Sequence, residues 1–62
     1  MGPEDFNRLV DEIMAQGYDE KTAAHYAALI GDTPLTDADG NIVVKENGRE
    51  IARLRPLKFF DG

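Results

Sequence analysis

The side chains in this sequence that could do chemistry are almost all carboxylates, and their spacing points to a specific chemistry in one place, the run from Leu35 to Glu46. Asp37, Asp39 and Glu46 are oxygen donors suited to a hard divalent cation, and Gly40 among them supplies a sharp turn of the kind a cation loop needs. Nitrogen and sulfur donors are scarce: His25 is the single histidine and cysteine is absent, too few ligands for a zinc-type site. His25 also falls between the apolar positions of its segment and is expected on the solvated surface. Nucleophilic catalysis has as little to work with, since serine is missing as well as cysteine and there is no glycine-rich phosphate loop. The adjacent acids Glu4 and Asp5, and Asp11 and Glu12, lie on polar helix faces, where no desolvation raises a carboxyl to a catalytic pKa. No catalytic residue, cofactor site or metal site is expected, and the chain is expected not to be an enzyme.

Numbered as an EF-hand loop with Gly40 sixth, the run places Asp37 third, Asp39 fifth, Ile42 eighth and Glu46 twelfth, so it resembles that loop at those positions and makes a calcium-binding module one functional alternative. Leu35 stands first, where the loop takes a carboxylate. Val43 and Val44, followed by Asn47-Gly48, occupy the place of the exit helix and read as strand and turn instead. The same acids and glycine also make an ordinary polar turn between strands.

The element that must position all of this is the stretch from Phe6 to Gly31. Phe6, Leu9, Val10, Ile13 and Met14 repeat at helical spacing, and Ala23, Tyr26, Ala27 and Ile30 repeat it after Gly17. Pro3 at the first helical position, Gly17 as a C′ residue and Asp19 as an N-cap predict two helices over about 3–16 and about 20–30, joined as a hairpin. Tyr18 falls at N′ of the second helix, placed to staple onto Ala23. Arg8 is expected to pair with Asp5, Asp11 or Glu12 along the first helix. Two short amphipathic helices cannot bury both apolar stripes on each other, so the remainder of the chain is expected to cover them.

Strands are expected over about 33–36, 41–46 and 49–54, the last two joined by Asn47-Gly48, a strong two-residue hairpin signal. A regular ladder would set Val44 opposite Ile51, Val43 opposite Ala52, Lys45 opposite Glu50 and Glu46 opposite Arg49, with Ile42, Val44 and Ile51 as the lid over the helices. The tail over 55–60 carries Leu57, Phe59 and Phe60, too apolar to be left exposed. As an extended segment it would bury one of Phe59 and Phe60 and expose the other. The fold expected is therefore an α+β domain, an N-terminal helical hairpin packed against a C-terminal antiparallel β-hairpin or three-stranded meander, with residues 1–62 forming one small domain.

The net charge of −5 is unevenly spread: residues 1–40 carry nine acids against Arg8 and Lys21, whereas residues 41–62 carry three acids against five bases. An acidic helical half repels phosphate backbones, which argues against nucleic acid as a partner. No apolar run is long enough to span a membrane, and no membrane association is expected. Together with the lack of cysteine this leads to the expectation of a cytoplasmic protein.

The run from Leu9 to Tyr18, followed by Ala23 and Ala27, resembles the first two helices of a ubiquitin-associated domain, whose loop carries Met-Gly-Phe or Met-Gly-Tyr. The resemblance implies that Gly17 and Tyr18 lie on a recognition surface. In this chain Ala15 and Gln16 separate Met14 from Gly17, and a hairpin replaces the third helix. The function expected is a small non-enzymatic protein–protein interaction or accessory module, acting through the strip Arg53, Arg55, Leu57, Phe59 and Phe60 on a protein partner, or self-associating through the hairpin edge. The alternative from another class is a nucleic-acid-binding regulator that uses the helical hairpin as a helix-turn-helix.

Overall fold

The computed structural model of the chain describes residues 2–60; residues 1, 61 and 62 of the expected domain lie outside the described part. Two helices, α1 (Pro3–Met14) and α2 (Glu20–Asp32), precede two strands, β1 (Ile42–Glu46) and β2 (Arg49–Leu54), and a 3₁₀ turn over Lys58–Phe60 ends the described chain. The fold is α+β, with the helices N-terminal and a two-stranded antiparallel sheet C-terminal. Among the described residues no helix is long and apolar enough to cross a membrane.

α1 starts at Pro3, where the missing N–H is one that would go unpaired anyway, and Glu4 and Asp5 sit at the positive end of its dipole. It buries Leu9, Val10 and Ile13. The helix closes two residues short of the expected end, at Met14, because Gln16 and Gly17 donate to Ile13 and Met14 in tighter turns and Gly17 takes φ 107°. Asp19 caps α2 by accepting from the Thr22 N–H at 2.8 Å. Gly31 does not end α2. The helix continues to Asp32 and stops where Thr33, forced to extended geometry before Pro34, leaves the helical region.

The sheet departs from the regular ladder. Glu46 faces Arg49 and Lys45 faces Glu50 across the Asn47-Gly48 turn, but Val44 then faces Ala52, Val43 faces Arg53 and Ile42 faces Leu54. Ile51 has no partner: it is the extra residue of a β-bulge and stays 37% exposed. The lid is accordingly Ile42, Val44 and Leu54, all essentially buried, rather than the trio that included Ile51. No third strand forms among the described residues. Thr36 makes one bridge to Ile42, and Val43 donates its N–H to the Leu35 carbonyl at 2.9 Å, so this segment covers the outer edge of β1 without joining it as a strand. Pro34 lacks an N–H for a ladder, and the chain turns away at Asp37.

That turn is organised by one carboxylate. Asp37 Oδ1 accepts the N–H groups of Asp39 and Asn41, each at 2.9 Å, while Oδ2 accepts from Asn41 Nδ2 at 3.0 Å and Arg53 Nη1 at 3.2 Å. The Asn41 side chain above all, with the backbone N–H groups and Arg53 adding to it, holds the Asp37 carboxyl below its ordinary value, and the bonds from Thr22 do the same for Asp19.

The core is a single cluster, with Leu9, Ile13, Ala23, Ala27 and Ile30 from the helices meeting Ile42, Val44 and Leu54 from the sheet and Leu57 from the tail. Leu57→Ala is expected to destabilise the protein by about 2–5 kcal/mol in urea unfolding, the range for a leucine emptied from a packed core. Acid is expected to weaken the fold by a separate route. Below pH 5 the unfolded chain binds more protons than the folded one at Asp19 and Asp37. Their contribution is complete above the unfolded carboxyl pKa of about 4 and disappears as pH falls through the lower folded values. Urea midpoints measured from pH 6 downward should stay level and then fall below about pH 4, less steeply in Asp37→Asn.

Candidate interaction surface

The tail is held by a stripe of polar side chains on one side of α1. Arg8, Glu12 and Gln16 follow each other at intervals of four residues and so lie along one side of the helix and its terminal turn. Gln16 Nε2 donates to the Arg55 carbonyl at 3.0 Å, and the Arg55 N–H donates to Gln16 Oε1 at 2.9 Å, so one side-chain amide pairs with the backbone in both directions. Glu12 Oε1 accepts the Lys58 N–H at 2.7 Å and caps the 3₁₀ turn. The Arg8 guanidinium lies 5.8 Å from the centre of the Phe59 ring, a cation–π contact, instead of pairing with an acid along the helix. Glu12 Oε2 is shut off from solvent with no partner among the described residues.

The candidate residues are distributed unequally by this clamp. Leu57 is core, 5% exposed. Phe59 and Phe60 are both half-buried, edge-to-face with ring centres 5.1 Å apart. The expected split, one ring in and one out, fails because the backbone here is a 3₁₀ turn and not an extended segment, so neighbouring side chains do not alternate between faces. Arg55 keeps an exposed side chain while its backbone is clamped. Arg53 sits apart on β2, bonded to Glu50 at 2.7 Å and to Asp37. Gly17 is exposed, and Tyr18 is half-buried with its ring edge-on to Tyr26 at 5.4 Å. The Gln16–Arg55 pairing brings this turn, next to Gly17, up to the start of the tail.

Between the tail and the start of β1 lies an open hollow of about 330 Å³, with Ile42, Leu57, Pro56 and Phe60 among its walls and Thr36 and Lys58 at the polar margin. A second, larger groove of about 560 Å³ runs between the start of α1 and the end of α2, past Phe6, Ala27 and Gly31, and includes none of the candidate residues. His25 is half-exposed and reaches across to β1, with Nε2 3.0 Å from a Glu46 carboxylate oxygen. The carboxylates of the cation-like run are thereby separated into different tasks: Asp37 is engaged by its own turn and by Arg53, and Glu46 faces His25.

Sequence periodicity could not assign Arg8, Glu12 and Gln16 to the tail, because a polar side chain on a helix flank looks solvated until its distant partner is placed. Their spacing of four beside the apolar stripe is the only trace. Each of Gln16→Ala and Glu12→Ala is expected to cost about 1 kcal/mol, since water replaces the lost partner at these exposed bonds. A double-mutant cycle in urea should show the two losses to be coupled, because either change frees the tail that the other holds.

The chain matches no known family model, no curated protein and no solved structure. What it does is therefore read from its own residues.

Proposed function

We propose that the chain is a small non-enzymatic module that works in the cytoplasm by binding a partner protein at the tail hollow. The observation that carries this reading is the pairing of a half-exposed aromatic residue, Phe60, with Lys58 beside a hollow floored by core side chains. A site of this kind takes one apolar side chain into the hollow and an acidic neighbour onto the lysine, which fits a short extended segment of an acidic protein. Arg55, exposed just before Pro56, adds a second positive charge along the same run of chain. The exposed part of the tail is basic and the helices are acidic, a polarity that orients an acidic partner towards the hollow. The turn at Gly17 and Tyr18 adjoins this strip through Gln16, which is bonded to Arg55. The helical hairpin is less suited to nucleic acid, since α2 opens with Asp19 and Glu20 and has Lys21 as its single cation.

Affinity capture from the native host, run in parallel with Phe60→Ala and Lys58→Glu, tests the proposal. A protein retained by the unaltered chain and lost about tenfold or more in both variants is the expected result. Equal capture by all three baits would discard the hollow as the binding site. Steeply salt-sensitive binding to mixed-sequence DNA would favour the regulator instead.

A further inference from the structure

β2 presents a backbone edge that a regular strand cannot match. Asn47 and Gly48 both have positive φ, 54° and 77°, the two-residue turn that makes Glu46 and Arg49 a hydrogen-bonded closing pair. The next pair, Lys45 and Glu50, is then a non-hydrogen-bonded one, and Glu50 turns its N–H and C=O away from β1. At the other end Val43 donates its N–H to Leu35 on the far side of β1, which makes Val43 and Arg53 a pair of the same kind. Arg53 therefore also directs its backbone groups outward. Because Ile51 is an extra residue, these two outward-facing positions are three residues apart, where a regular strand has them two apart. An ordinary strand laid along this edge stays in register on one side of Ile51 only, which is how a bulge protects an edge.

A second copy of the chain carries the same irregularity. Turned antiparallel about a twofold axis between Ile51 and Ala52, it offers the same three-residue interval, so both outward-facing residues meet counterparts. In that register Glu50 of each copy lies opposite Arg53 of the other, which pairs opposite charges twice. Ile51, left unpartnered in the single chain, then meets Ala52 across the axis. Within its own strand Arg53 bonds Glu50 at 2.7 Å, which places the two side chains on one face of β2, and it also reaches Asp37 at 3.2 Å. The outer edge of β1 is already covered by the segment around Leu35, so β2 is the edge open to extension.

We infer that β2 is a homodimer contact, in which two copies join β2 to β2 antiparallel and form one four-stranded sheet, with Glu50 and Arg53 setting the register. The contact is separate from the tail hollow and stands or falls independently of it. A six-residue strand buries little surface, so the dimer is expected to have a Kd between about 10 μM and about 1 mM.

Sedimentation equilibrium across that range, on the full chain, tests the inference, with circular dichroism to establish that each variant is folded. Glu50→Arg alone and Arg53→Glu alone each place like charges opposite each other at both pairs, and each is expected to raise Kd by about tenfold or more. An equimolar mixture of the two variants places opposite charges at both pairs again, and is expected to form a heterodimer about as tight as the unaltered dimer. A chain that stays monomeric at the top of the range overturns the inference. So does a dimer indifferent to both reversals, or a mixture of folded variants that remains monomeric. Because Arg53→Glu also removes the contact to Asp37, a second readout uses the unaltered chain: amide exchange at Glu50 and Arg53 should slow as concentration rises. Protection that appears elsewhere, with these two amides unchanged, refutes the proposed edge.

Discussion

The docking of Leu57 is the interaction on which the rest of this structure depends. Two helices of twelve and thirteen residues leave an apolar surface that a two-stranded hairpin covers only in part. The hairpin contributes Ile42, Val44 and Leu54, and Leu57 completes the cluster from beyond its end. Among the described residues there is no disulfide and no second apolar cluster to make up for a loose closure. Burial alone does not keep a terminal segment in place, because its backbone must also be satisfied. Gln16 and Glu12 do that for Arg55 and Lys58, and Arg8 lies over Phe59. The polar flank of α1 thus acts as the second half of the core's closure.

A comparable division of labour governs the other end of the sheet. Asp37 collects four donors, from Asp39, Asn41 and Arg53, and so ties the connection after α2 to β2 and to the residue that leads into β1. A carboxylate bonded in this way sets the path of the chain into β1. It also lets the segment around Leu35 run along the outer edge of β1 and take the Val43 N–H. One edge of a two-stranded sheet is thereby covered at the cost of a short irregular segment. The other edge is left to the bulge at Ile51 and the charges of Glu50 and Arg53, both recognised means of discouraging a chance partner strand.

The hairpin and the tail differ in how strongly local sequence specifies them. Asn47-Gly48 sets the turn and the first two pairs because the twist it imposes acts on its immediate neighbours. Beyond those pairs the register follows packing: Leu54, not the isomeric Ile51, fills the space beside Ile42 and Val44, and the bulge is the adjustment that brings it there. Ile51 consequently lies outside the lid although its residue type belongs inside. In the tail the clamp on Lys58 favours a tight turn, and the turn keeps Phe59 and Phe60 together as an edge-to-face pair.

From sequence alone this chain's α+β class, both helices with their apolar stripes, the Asp19 cap and the hairpin turn were legible, because each depends on side-chain period or on backbone chemistry within a few residues. The tertiary structure decided everything that joins distant segments. It ended α1 early and extended α2 past Gly31, moved Ile51 out of the lid, left the segment around Thr36 short of a strand, and converted Arg8, Glu12 and Gln16 from a solvated flank into partners of the tail. The candidate surface divided along the same line. Leu57, Phe59 and Phe60 stood out by composition, but which of them is core depended on a turn held from α1 by Glu12, 46 positions from Lys58. Hydrophobic period reports which side chains need cover; what covers them is set by packing and hydrogen bonds between elements that no local window contains.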